Sequence, residues 1–153
     1  MILIIWFHSI IINSLNKHKL LISFRFPNYK IHDDEYCKLF VKYIRQFIRN
    51  EDVIIEERKM GYLFSLSYGR NKSYFLNKIG YNENDINKLI NDIRMNTDFK
   101  TSTFKVITKF TFNFEAKTIL NNYIVTTAWQ LNNDGNIRLI TLIPGGDKKW
   151  KKE

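Results

Sequence analysis

The clearest pattern of apolar and polar positions lies near the end of the chain. Tyr123-Ile124-Val125-Thr126-Thr127-Ala128-Trp129-Gln130-Leu131 and Ile137-Arg138-Leu139-Ile140-Thr141-Leu142-Ile143 are two runs rich in β-branched and aromatic residues. Asn132-Asn133-Asp134-Gly135 separates them, and Pro144 closes the second. Two such runs around an Asp-Gly step predict a β-hairpin, with Gly135 supplying the positive φ that a short return needs. Strand side chains repeat every two residues, so Thr127 and Trp129 share one face, and Arg138 and Ile140 share a face of the returning strand. The expectation is a hairpin at the centre of a sheet, with its polar face as the working surface. Upstream, Phe104, Val106, Thr108, Phe110, Phe112 and Phe114 alternate with Lys105, Ile107, Lys109, Thr111 and Asn113, the period of a half-buried strand. Glu115-Ala116-Lys117 is the predicted turn after it, and residues 96–102 read as a polar loop.

The earlier part of the chain carries helical spacing. Tyr36, Leu39, Phe40, Tyr43, Ile44 and Phe47 fall close to i, i+3, i+4, i+7, which predicts a helix from Asp33 or Asp34 to about Asn50. Its acids stand at the front and its bases at the back, as the helix dipole favours. Val53-Ile54-Ile55 is a short strand candidate. Residues 73–79 read as a short helix closed by Gly80 at the C′ position. Asn82 caps a further helix, with Asp85 placed for a capping box and Ile86, Leu89, Ile90 and Ile93 as its buried stripe. Residues 1–15 hold two apolar runs interrupted by His8 and Ser9. They are shorter than the ~20 residues a membrane helix needs, and they lack the leading base and small-residue cleavage site of a signal peptide. They read as a buried strand, with a membrane-dipping anchor as the alternative, and residues 20–26 read as a second strand. The sum is an α+β domain over residues 1–153, with helices packed on a three-stranded C-terminal antiparallel β-meander that the N-terminal strands are placed to extend.

Composition adds a partner class. The formal charge is +9, aromatic content is 15%, and there are two prolines and six glycines. A basic balance points to nucleic acid or an anionic membrane surface, beside the plainer reading of a solvated Lys- and Asn-rich surface. The single Cys37 excludes a disulfide framework and a CxxC-type metal site, which suits a reducing, cytoplasmic compartment. His8, His18 and His32 are not at metal-ligand spacing, so neither a metal nor another cofactor is expected. No G-x-S-x-G, P-loop, H-E-x-x-H or Rossmann glycine pattern is present. What remains is Lys59, Arg70, Lys72, Thr127, Trp129 and Arg138, with Lys105 and Lys109 as further basic positions. Cations neutralise phosphate and an indole stacks on bases. The competing reading makes Trp129 core, Thr127 a strand former and the cations solvated.

Three groups of residues carry a resemblance. Lys59-Met60-Gly61-Tyr62-Leu63-Phe64 comes first, then Gly69-Arg70-Asn71-Lys72-Ser73-Tyr74-Phe75 with Ile79-Gly80-Tyr81, and last Thr127-Ala128-Trp129 with Arg138-Leu139-Ile140-Thr141-Leu142-Ile143-Pro144. In this order, over residues 58–144, they resemble a family of small uncharacterised bacterial domains with K-x-x-x-Y-L-L, G-x-x-K-x-x-F, T-x-W and R-L-V-T-x-x-P motifs. Residues 1–50 lie outside the likeness. The layout is similar to barnase-, colicin- and RelE-like toxin ribonucleases. The resemblance implies a metal-independent ribonuclease acting on RNA, with an acidic antitoxin or immunity protein as partner. It implies Lys59 or Lys72 as base or electrostatic stabiliser, Arg138 as phosphate holder, Thr127 as hydrogen-bond donor and Trp129 as base platform. No histidine lies in the matching region, so catalysis there would rest on Lys, Arg, Thr or Tyr. The alternative is a non-catalytic module that binds protein or nucleic acid through the same sheet.

Overall fold

The computed structural model describes residues 40–65, 70–107, 111–132 and 135–144. The expected N-terminal strands, the start of the first helix, Cys37 and the three histidines lie outside the described residues. Within them, three helices, α1 (Glu57–Phe64), α2 (Arg70–Lys78) and α3 (Ile86–Asn96), precede four strands. The strands are β1 (Thr97–Ile107), β2 (Thr111–Leu120), β3 (Tyr123–Asn132) and β4 (Ile137–Ile143). They form one antiparallel meander in the order β1-β2-β3-β4. The fold is α+β.

Local rules place the helix ends. Gly80 stands at φ +93° just after α2. Its N–H donates to Asn77 O at 3.1 Å, and Tyr81 N–H reaches back to Leu76 O at 2.9 Å. These are the paired bonds of a Schellman C-cap. Asn82 accepts from Asn84 N–H, and the Asp85 carboxylate accepts from Asn82 N–H, completing the capping box.

Four expectations about the bounds of elements change. The helix expected to run to Asn50 gives way to a π-helical turn (Phe40–Ile44), a 3-10 turn (Arg45–Phe47), an extended Ile48 and a second 3-10 turn (Asn50–Asp52). The break lets Ile44, Ile48 and Val53 all be buried, and it brings Asn50 to the end of α3, where its amide donates to Arg94 O and Thr97 O. The polar stretch read as a loop is the start of β1. Thr97 and Phe99 are buried, and the polar residues between belong to a bulge in which Asp98 accepts from Lys100 N–H and the Thr101 hydroxyl. The single strand expected around Phe110 is two strands, with Ile107 opposite Phe112. Finally, the chain does not turn at Ala116. β2 continues to Leu120 and reverses at Asn121-Asn122, whose φ values of 45° and 70° are those of a two-residue primed turn.

One face of the sheet is the core. Phe112, Phe114, Val125, Trp129, Leu131, Ile137, Leu139 and Leu142 form one buried cluster with Met60, Leu63, Leu76, Ile79, Leu89 and Ile93 from the helices. The Trp129 ring meets Phe99 edge-on, with centroids 4.9 Å apart. The predicted β3–β4 hairpin forms, with Gly135 at φ +80°. It is not the centre of the sheet, however, because β4 is an edge strand.

Candidate functional site

β4 is irregular in a way that decides which side chains meet. Gln130 pairs with Arg138 and Trp129 with Leu139, but Ala128 pairs with Thr141, leaving Ile140 as an extra residue. Paired residues point to the same face of a sheet. Arg138 and Thr141 therefore both stand on the outer face, although strict alternation over three residues would separate them. The bulge shifts the phase, and Leu142 returns to the core.

The free side of β4 is covered from the segment before α1. Ile54 runs parallel to it, donating to Ile137 O at 2.8 Å and accepting from Leu139 N–H at 3.0 Å. Two residues on, Glu56 accepts from Arg138 Nη1 at 2.9 Å. One turn into α1, Lys59 Nζ donates to Leu139 O at 3.1 Å. From α2, Lys72 Nζ donates to Thr141 Oγ1, and that hydroxyl donates in turn to Leu142 O at 3.3 Å. Lys59, Lys72 and Arg138 thus gather along four residues of β4, a length of about 10 Å at the usual strand rise. Burial holds the Lys72 amine below the ordinary lysine range. The Arg138–Glu56 pair is substantially solvent-exposed, so its contribution to stability is up to about 1 kcal/mol.

Thr127 and Trp129 do not belong to this edge, which corrects the expectation for both. Each is fully buried on the inner face of β3. Trp129 Nε1 donates to Thr127 Oγ1 at 2.7 Å, and the indole packs on Phe99, so the ring has no side open to a base. The Thr127 hydroxyl belongs to an internal chain instead. It lies 2.9 Å from Thr118 Oγ1, which lies 2.7 Å from Thr97 Oγ1, which is 2.6 Å from Ile93 O. The sequence held the signal: Val125, Trp129 and Leu131 share the parity of Thr127, and the opposite parity carries Thr126, Ala128 and Gln130.

Lys105 lies on β1, at the opposite edge of the sheet, paired with Glu115 at 2.9 Å. Three strand spacings, about 14 Å, separate it from β4. Arg70 opens α2 two positions before Lys72, and Lys109 lies outside the described residues. Glu56 and Thr141 are the two members of the edge that sequence reasoning did not single out. Glu56 had no motif to mark it, and the face of Thr141 depends on the bulge. Among the described residues, no group of three or more His, Cys, Asp and Glu is placed to hold a metal ion, and no helix is long and apolar enough to cross a membrane.

The chain matches no protein-family model, no curated protein and no solved structure.

Proposed function

We propose that the chain is a toxin-like, metal-independent endoribonuclease that works on RNA at the β4 edge, in the cytoplasm and under an acidic antitoxin or immunity protein. The observation that carries this reading is the convergence of Lys59, Lys72 and Arg138 on one strand edge, with the Lys72 amine shifted toward its neutral form. RNA supplies its own nucleophile. Lys72, when deprotonated, would take the proton of a 2′-hydroxyl as that oxygen bonds to the adjacent phosphorus. The bond from phosphorus to the 5′-oxygen then breaks, and the leaving oxygen takes a proton back from the Lys72 ammonium. Arg138, turned from Glu56 to the phosphate, and Lys59 would balance the charge that builds on the phosphoryl oxygens. The products are a 2′,3′-cyclic phosphate and a 5′-hydroxyl end. Thr141 would orient Lys72; Thr127 and Trp129 have no part.

The test is incubation of the purified chain with total RNA, with and without EDTA, and chemical identification of the ends. Cyclic phosphate ends that persist in EDTA and fall at least about tenfold in Lys72→Ala and Arg138→Ala support the reading. Intact RNA, or cleavage unchanged in both variants, refutes it. A specific observation favours the second reading, a non-catalytic binding module: Lys59, Lys72 and Arg138 each already hold an acceptor that belongs to the fold. RNA bound with steep salt dependence and no turnover would decide for the module.

A further inference from the structure

We propose that the bulged half of β4, residues 140–143, is a docking edge for an extended, acidic segment of a partner protein, which adds to the sheet as a fifth strand. Four observations lead there. Among the described residues, the strand-like cover of β4 is the Ile54 bridge alone, and it reaches no further than Leu139. Beyond that point the edge carbonyls are held by side chains: Leu139 O by Lys59, and Leu142 O by the Thr141 hydroxyl at a long 3.3 Å. An incoming strand would put its own N–H groups in place of these side-chain donors, as strand addition does at an exposed sheet edge. Ile140 and Ile143 flank the same stretch and stay 38% and 39% exposed, so an added strand has apolar surface to cover.

The charge selects the occupant. Lys72 stands at the rim of this stretch, partly desolvated, and among the described residues its hydrogen bond goes to the Thr141 hydroxyl. A carboxylate beside it restores what burial costs the ammonium. A second copy of this chain is a poor occupant, because the formal charge of +9 repels its like. Nucleic acid meets the lysines equally well, but it leaves Ile140 and Ile143 unused and cannot replace backbone N–H groups in register. A peptide of alternating acidic and β-branched residues answers the lysine, the isoleucines and the edge carbonyls that side chains now hold. Docking does not depend on RNA cleavage; where the ribonuclease reading holds, the same peptide covers Lys72 and acts as an inhibitor.

The probe is a short, capped, fluorescein-labelled peptide of alternating glutamate and valine, titrated with the whole chain and followed by anisotropy. Two sister peptides carry the controls, one with alternate amides N-methylated and one with lysine for glutamate. Binding of the first that weakens with salt and is at least about tenfold tighter than binding of either sister supports the proposal. Lys72→Met should weaken it as well, and the sister peptides on the unmodified chain keep the test valid if that variant folds poorly. Equal binding of the N-methylated peptide, equal binding of the lysine peptide, or no binding overturns it. A single-stranded oligoribonucleotide that binds through Lys72 where the glutamate peptide does not assigns the edge to nucleic acid and also overturns it. Because anisotropy reads binding alone, its failure is separate from a failure of the chain to cleave RNA.

Discussion

Removing either of two hydroxyls from the buried threonine chain should have unequal effects, and the inequality follows from counting protons. A threonine hydroxyl donates one hydrogen and accepts through its lone pairs, whereas an indole N–H only donates. Thr97 Oγ1 faces Ile93 O, a carbonyl, so its proton is committed there. Thr118 must then donate to Thr97, and Thr127 to Thr118, while Trp129 Nε1 donates to Thr127. Thr118→Val breaks the middle of this run but strands no donor, because Thr127 can turn its proton to Ala116 O, 3.1 Å away. Its cost should stay below about 1 kcal/mol, the net worth of an ordinary hydrogen bond. Thr127→Val is different: the Trp129 N–H is left fully buried without an acceptor, at about 1–3 kcal/mol. Urea unfolding of both variants, with unchanged m-values, measures the two costs. In a Trp129→Phe background the orphaned donor is gone, so Thr127→Val should lose most of its penalty, and the cycle isolates that term. Equal costs for the two valine variants, or an undiminished Thr127→Val penalty without the indole, would refute the assigned direction of the chain.

Other outcomes follow from single residues. Gly80→Ala should destabilise by about 1–2 kcal/mol, and Gly80→Asn by less, in thermal unfolding. Gly80 has φ +93°, and a Cβ there comes 3.3 Å from the Asn121 amide that donates to Ile79 O. Asn50→Ala should cost about 1–2 kcal/mol, and Asn50→Asp more, because a carboxylate cannot donate to Arg94 O and Thr97 O and meets the negative end of α3. Tyr81 is held above the ordinary tyrosine range by burial and then by its 2.6 Å bond to Asp92. Above pH ~10 the unfolded chain sheds this proton while the folded chain keeps it. Stability should therefore fall with rising pH there, and Tyr81→Phe should flatten that slope in alkaline urea titrations.

Legibility in the sequence followed locality. The Asn82–Asp85 box, the Gly80 cap and the Gly135 hairpin rest on residues a few positions apart, and each was readable. The β1–β2 reversal was not, because Phe104, Phe112 and Phe114 keep one parity across it, and no Gly or Pro stands between Thr97 and Asp134 to mark a turn. Asn121-Asn122 was the available sign of the next reversal, since asparagine tolerates positive φ. At the site, three of the named cations do line one edge, but their partners Glu56 and Thr141 depended on contacts 82 and 69 positions apart and on a one-residue bulge. Alternation shows that a strand has two faces; which face is core came from Val125, Trp129 and Leu131 together.

The cover over β4 also has a consequence in time. Each strand of the meander pairs with its neighbour in sequence, and β2 and β3 stay in register over ten residue pairs through a two-residue turn. The Ile54 strap instead closes a loop of some eighty residues for two backbone hydrogen bonds, with Lys59 and Glu56 adding their contacts from 80 and 82 positions away. Closing a long loop is slow and its entropy is lost late, so the ladder assembles before the strap arrives. The same imbalance governs the finished molecule: the strap lifts more often than the ladder opens. Amide hydrogens of Ile54 and Leu139 should then exchange with solvent ahead of those inside β2 and β3. The edge that carries Lys59, Lys72 and Arg138 should thus also open ahead of the β2–β3 ladder.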